Sequence, residues 1–92
     1  MKVKSMRSSR GNDVPNQFII SDDETGTEWF QSYDSVIAKR YQDLTGIKTV
    51  LDEQYWNYSR TTSRYLAIFL CETGKDIKAK VKSGRYPLVN LN

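Results

Sequence analysis

The stretch that most constrains the fold runs from Tyr55 to Leu70, where the hydrophobic pattern changes its period. It begins with an aromatic cluster, passes through hydroxyls and arginines, and ends in the most apolar segment of the chain. Tyr65 and Phe69 are four residues apart, as are Leu66 and Leu70, and this spacing predicts one apolar face of a helix. We therefore interpret the stretch as the junction between a β-sheet and the helix that covers it.

Four strand-like runs precede this junction, and turns that carry Gly and Asp separate them. Regular spacing with tight turns favours an antiparallel meander. The third run could instead begin a helix that Asp34 or Ser35 caps. The four runs cover residues 17–21, 27–33, 36–42 and 47–52.

Two helices are expected after the junction. Thr61, Thr62 or Ser63 can cap the first helix, and Gly74 stands where a left-handed residue would end it. A second short helix is expected over residues 76–83, with Gly84 after it.

The last residues, 86–91, are expected to form a strand or an extended tail, and Pro87 would place such a strand at a sheet edge. The prediction for residues 15–92 is therefore one α+β domain. It consists of a small antiparallel meander of about four strands, covered by one or two C-terminal helices, with a final edge strand as an option.

Ninety-two residues make a single small domain, and eleven aromatic side chains supply much of what it can bury. From strand alternation and helical spacing we expect ten side chains in the core: Phe18, Ile20, Phe30, Ile37, Val50, Trp56, Tyr65, Leu66, Phe69 and Leu70.

The two ends of the chain are basic and its centre is acidic. Residues 1–14 carry a net charge of +3, residues 15–74 carry −4 and residues 75–85 carry +4. Residues 1–14 also contain few apolar side chains, so we expect a flexible basic arm there, with a short strand over residues 2–6 as an option. The basic ends could be solvated surface or a patch for a polyanion; the patch would comprise Lys4, Arg7, Arg10, Lys75, Lys78, Lys82 and Arg85.

The residue types present argue against most catalytic chemistry. The chain has no histidine, no glycine-rich phosphate loop and one cysteine, Cys71, which we expect to be a core or boundary residue. The acidic clusters at residues 22–24 and 52–53 fall at expected turns and are interpreted as solvated loops. We therefore expect no enzyme activity, no metal site and no cofactor. The lone cysteine and the lack of any long apolar run favour a reducing, cytoplasmic location and no membrane contact.

The segment before the expected helix is the strongest candidate for a binding site. A helix N-terminus presents free backbone N–H groups, and arginines beside it would strengthen its attraction for an anion or a partner. The alternative is plain helix capping, with the arginines paired to Asp52 or Glu53. The candidate residues are Tyr58, Arg60, Thr61, Thr62, Ser63 and Arg64.

Four segments together resemble a family of small uncharacterised proteins encoded by phages of Gram-positive bacteria. These segments are Arg10–Asn12, Asn16–Ile19 (NQFI), Trp29–Ala38 (WFQSYDSVIA) and Tyr55–Leu66 (YWNYSRTTSRYL). The resemblance implies a phage or prophage origin and an accessory role, and it brings no catalytic residues with it.

The leading hypothesis is a non-enzymatic accessory protein that binds and inhibits or redirects a host complex, for example an antiviral defence nuclease. One alternative is a nucleic-acid-binding module that uses the basic arm and the Lys-rich C-terminal helix. A second alternative is a structural protein that dimerises through a sheet edge.

Overall fold

The protein is an α+β domain with one sheet and two helices, and the computed structural model describes residues 1–92. In chain order the elements are β1 (Lys2–Arg7), β2 (Asp13–Asp22), β3 (Thr27–Ser32), β4 (Ser35–Asp43), β5 (Gly46–Asp52), α1 (Arg60–Leu70), α2 (Gly74–Lys82) and β6 (Leu88–Val89). The six strands lie in the sheet in their chain order. Strands β1 to β5 pair antiparallel, whereas β6 runs parallel to β5.

The α+β class and the four expected strands are confirmed, but the sheet has six strands rather than about four. The third run is β4, so the alternative of a helix there is wrong. Strand β1 occupies part of the segment expected to be a flexible arm, and it pairs with β2 along its length. Its Met6 is only 4% exposed and joins the core, which gives this basic segment an apolar attachment to the sheet.

One face of the sheet carries the helices and holds the core. Phe30, Ala38 and Leu51 lie on that face, in neighbouring strands, and are fully buried. The Phe69 ring of α1 stacks on the Phe30 ring with centroids 5.8 Å apart. Tyr65, Leu66 and Leu70 of α1 also contribute, as the helical spacing predicts. The buried apolar set is Met6, Phe30, Ile37, Ala38, Leu51, Tyr65, Leu66, Phe69, Leu70 and Ile77.

Four of the expected core residues are only half-buried: Phe18, Ile20, Val50 and Trp56. Phe18 and Ile20 alternate with Gln17 and Ile19 along β2, and it is Ile19 that lies opposite Phe30. Successive side chains point to opposite faces of a sheet, so Phe18, Ile20 and Val50 belong to the face without helices. The missed core residues are Met6, Ala38, Leu51 and Ile77.

A β-bulge explains why two consecutive residues of β4 are both buried. Phe30 pairs with Ala38 and Gln31 pairs with Val36, so Ile37 is the extra residue of the bulge. Ile37 and Ala38 are both fully buried. A regular strand would expose one of them, and the bulge therefore adds a large apolar side chain to the core.

Helix α1 begins and ends at residues other than those expected. Ser59 is the N-cap, and its hydroxyl accepts a hydrogen bond from the Thr62 N–H at 3.1 Å. Cys71, not Gly74, is the left-handed residue that ends the helix, with φ 56°, and its side chain is exposed. Helix α1 ends before Gly74 because Thr73 is the N-cap of α2 and Gly74 is the first residue of that helix.

Arg40 holds the C-terminal end of α1 on the sheet. Its guanidinium donates to the Phe69 carbonyl at 3.1 Å and to the Glu28 carboxylate at 2.8 Å. The same group lies 4.5 Å from the centre of the Phe69 ring. A cation at the helix C-terminus is favourable because the last carbonyls there lack helical partners.

A buried carboxylate, Asp52, joins the end of β5 to two other parts of the chain. One of its oxygens accepts from the Gln54 and Tyr55 N–H groups at 3.0 and 2.9 Å. The other accepts from the Leu91 N–H at 2.8 Å and from the Asn92 side chain at 3.0 Å. Burial alone would raise the pKa of Asp52, but these hydrogen bonds outweigh it and hold the pKa below its ordinary value of 3.8.

We predict that Asp52→Asn lowers the free energy of unfolding by about 2 kcal/mol at pH 7, since hydrogen bonds to a charged acceptor are lost. The folded-state pKa lies below the unfolded one, so this stabilisation is present above pH 3.8 and is lost as the pH falls through the folded-state pKa. Urea unfolding at pH 7 and pH 3, followed by tryptophan fluorescence, should therefore show a difference between variant and wild type that shrinks in acid. The exposed Asp23→Asn is the control, and wild-type stability of Asp52→Asn at pH 7 would contradict the assignment.

Candidate functional site

An open cleft of about 550 Å³ lies between the N-terminal half of α1 and the start of α2. Residues on one face of α1 form one wall, because positions 60, 63, 64 and 67 recur at helical spacing. Gly74 and Lys78, four residues apart on α2, form the facing wall. Tyr58, which is 47% exposed, lies at the entry to α1 and completes the lining with Asn57 and Ser59.

Three cations line this cleft, and no carboxylate does. They are Arg60, Arg64 and Lys78, all exposed. None of the three takes part in an ion pair of the structure. Unpaired cations that converge on one concavity attract anions, and guanidinium groups suit carboxylate and phosphate oxygens in particular.

The alternative in which the arginines pair with Asp52 or Glu53 is not found, since neither Arg60 nor Arg64 takes part in an ion pair. Both oxygens of Asp52 accept hydrogen bonds from the turn after β5 and from the C-terminal residues. The capping part of that alternative does hold, although Ser59 performs it. Capping and an open cationic cleft therefore coexist at the same end of α1.

The structure divides the six candidate residues into two groups. Tyr58, Arg60, Ser63 and Arg64 line the cleft, where the Ser63 hydroxyl donates to the Asn57 side chain at 3.3 Å. Thr61 is exposed outside the cleft lining.

Thr62 is fully buried, and its hydroxyl lies 2.8 Å from that of Ser32. Ser59 also donates to the Thr62 hydroxyl, at 3.1 Å. Thr62 thus attaches the start of α1 to β3 and is inaccessible to a ligand. Nearby, the side-chain amide of Gln17, which pairs with Ser32 across the strands, is buried without a hydrogen-bond partner.

The basic patch expected from the two ends of the chain is split. Lys4 and Arg7 belong to β1 at one edge of the sheet, and Arg7 lies 3.9 Å from the Asp13 carboxylate. Arg85 lies beside β5, four strands away. At about 4.8 Å per strand this separation is roughly 19 Å. Of the remaining patch residues, Lys78 lines the cleft, Lys75 and Lys82 are exposed on α2, and Arg10 is exposed in the loop after β1.

A cluster that the sequence did not indicate joins α2 to the segment before β6. Lys80 forms an ion pair with Glu72, and the Tyr86 hydroxyl donates to the same carboxylate. Burial would raise the pKa of Glu72, but Lys80 and Tyr86 outweigh it and lower that pKa. Glu72 in turn raises the pKa of Lys80. Both groups therefore stay charged at neutral pH, so the cluster stabilises the α2–β6 connection and is poorly suited to proton transfer there.

Comparison with known proteins identifies one family. A model described as a family of unknown function (DUF8033) matches residues 1–84, which include β1 to β5 and both helices. No curated protein and no solved structure matches the chain. Neither α1 nor α2 has the length and apolar character that crossing a lipid bilayer would require.

We predict that Thr62→Ala lowers the free energy of unfolding by about 1–3 kcal/mol, because the buried Ser32 hydroxyl loses its partner. Thr61→Ala is the matched control, since the same atoms are removed from an exposed position and the change should stay within about 0.5 kcal/mol. Thermal and urea unfolding measure both. Equal effects of the two substitutions would contradict the assignment of Thr62 to the core.

Proposed function

The chain belongs to the family DUF8033, and we propose that it is a non-enzymatic accessory protein of a phage or prophage that binds a host macromolecular complex. Binding would inhibit or redirect that complex, for example an antiviral defence nuclease. The phage setting rests on the resemblance of four sequence segments to small proteins of Gram-positive phages.

The observation that carries the proposal is the cleft with Arg60, Arg64 and Lys78 and no carboxylate in its lining. Its two walls are helices whose other faces are packed in the core, through Tyr65 and Leu66 on α1 and Ile77 on α2. The cations therefore stand on a scaffold that is ordered before a partner arrives. Such preorganisation lowers the entropy that binding costs.

The lining favours binding rather than catalysis. Guanidinium, ammonium and hydroxyl groups hold anions, whereas proton transfer at neutral pH usually relies on a side chain such as histidine, which the chain lacks. Cys71 is exposed at the far end of α1 and does not line the cleft. The chemistry that fits the cleft is a group of carboxylates or phosphates on the surface of a partner.

A host protein with an acidic surface is the partner that we propose. A nucleic acid would fit the same cations, and Lys75 and Lys82 lie on the same helix as Lys78. The remaining basic residues are separated, however, because Lys4 and Arg7 lie on β1 and Arg85 lies beside β5 at the other side of the sheet. Nucleic-acid binding is therefore an outcome that the following test must separate from protein binding.

We predict that the triple variant Arg60→Ala/Arg64→Ala/Lys78→Ala captures its host partner at least about ten-fold less well, a loss of about 1.4 kcal/mol or more. All three side chains are exposed, so its melting temperature should match that of the wild type within a few degrees. The measurement is affinity capture from a Gram-positive host lysate, with and without nuclease, followed by titration of the captured protein.

The matched control is Lys2→Ala/Lys4→Ala/Arg10→Ala, which removes three positive charges from exposed positions on β1 and in the loop after it, outside the cleft. It should bind like the wild type. Equal loss of capture in both variants would show that the effect depends on net charge alone. Unchanged capture by the cleft variant would show that the cleft is not the binding site. If nuclease treatment abolishes capture and the affinity falls steeply as salt is added, the partner is a nucleic acid rather than a protein.

A further inference from the structure

Most of the outer edge of β5 has no neighbouring strand. Strand β6 pairs only with Leu51 and Asp52. The Leu51 N–H donates to the Pro87 carbonyl at 3.0 Å, and the Glu53 N–H donates to the Val89 carbonyl at 2.8 Å. Towards the start of β5, residues 46–50 pair with β4 on one side only.

The backbone groups of Ile47 and Thr49 face outward at this edge. Alternate residues of a strand direct their N–H and C=O groups to the same side, and the Leu51 N–H points away from β4 towards Pro87. Pro87 has no N–H to donate to the Thr49 carbonyl, so the ladder with β6 stops there. Two residues of β5 thus present unpaired donors and acceptors to a further strand.

A cleft of about 620 Å³ runs along this edge. Lys48, Lys80 and Arg85 line it, and no carboxylate does. Glu72 neutralises Lys80, which leaves Lys48 and Arg85 as the cations available to a partner.

Exposed apolar side chains accompany the cations at this edge. Ile47, which lines the cleft, is 72% exposed, and Leu44 in the preceding turn is fully exposed. Natural edge strands are usually protected by charge, by proline or by a covering segment. Lys48, Arg85 and Pro87 give this edge some of that protection, yet Ile47 remains exposed beside unpaired backbone groups.

We propose that this edge binds an extended acidic peptide, which adds to the sheet as a strand beside residues 46–50. The outward groups of Ile47 and Thr49 would bond its backbone, and the cleft would receive alternate side chains. Acidic side chains of the peptide would pair with Lys48 and Arg85. Ile47 would pack against an apolar side chain between them.

A second copy of this chain fits the edge less well. Antiparallel pairing of two β5 edges would bring Lys48 and Arg85 of both copies together, and like charges opposite each other are unfavourable. The other open edge, β1, is also basic, but Lys2 and Arg7 there lie near the carboxylates of Asp23 and Asp13. The β5 edge is therefore the one that combines available cations, a cleft and free backbone N–H and C=O groups.

The test uses the whole chain and a blocked eight-residue peptide that alternates Val and Glu. Titration should shift the backbone amide NMR signals of residues 46–50 and of Arg85 and Tyr86. Saturating peptide should slow hydrogen exchange of the Ile47 and Thr49 amides by at least about ten-fold, because both become ladder donors. A peptide of the same sequence with N-methylated backbone should not bind.

Charge specificity is tested with Lys48→Glu/Arg85→Glu, which should weaken peptide binding at least about ten-fold. Its matched control, Lys75→Glu/Lys82→Glu, makes the same charge change on the exposed side of α2 and should retain binding. The variant with alanine at Arg60, Arg64 and Lys78 should also retain it, so this inference and the proposed function can fail separately.

Three results would overturn the inference. They are the absence of binding, equal binding of a Val–Lys peptide, and signal shifts confined to the cleft between α1 and α2. Concentration-dependent dimerisation that protects the Ile47 and Thr49 amides without peptide would assign the edge to a second copy instead.

Discussion

Asp52 is the buried charge on which the connection between the sheet and the helices depends. It ends β5, and its carboxylate accepts backbone hydrogen bonds from the turn that leads towards α1. The same carboxylate accepts from Leu91 and Asn92, and Asn92 also bonds the backbone of Val36 at the start of β4. A buried carboxylate is tolerated only when it is fully hydrogen-bonded, so this one group requires the turn, the C-terminus and two strands to be in place together.

Helix α1 has one face that stabilises the fold and another that is available for binding. Its inner face packs Tyr65, Leu66 and Phe69 against the sheet, while its outer face carries Arg60 and Arg64 into the cleft with α2. Substitutions on the inner face should therefore unfold the protein, and substitutions on the outer face should leave it folded. The same division holds at β5, where one edge continues the sheet and the other presents unpaired backbone groups.

The spacing of apolar side chains and the residue types at turns made most of the fold predictable from the sequence. The alternating runs between Gly-bearing turns correspond to β2 to β5, and the four-residue spacing of Tyr65 with Phe69 corresponds to the buried face of α1. The prediction was wrong for Phe18, Ile20 and Val50, because both faces of these strands are apolar and local pattern does not show which face the helices cover. It gave β1 only as an optional short strand within a flexible arm, because pairing with β2 and burial of Met6 stabilise a segment whose composition is polar.

By itself the sequence determined the α+β class, the order of the central strands and the helical spacing that groups Arg60, Ser63 and Arg64. These follow from local constraints, namely side-chain period, glycine at turns and residue chemistry. Only the tertiary structure decided that Thr62 is buried, that Lys78 faces the two arginines and that the basic ends lie at separate edges of the sheet. Each of these depends on contacts between residues distant in the chain, and the free energy of burial that selects among such contacts is a property of the whole fold.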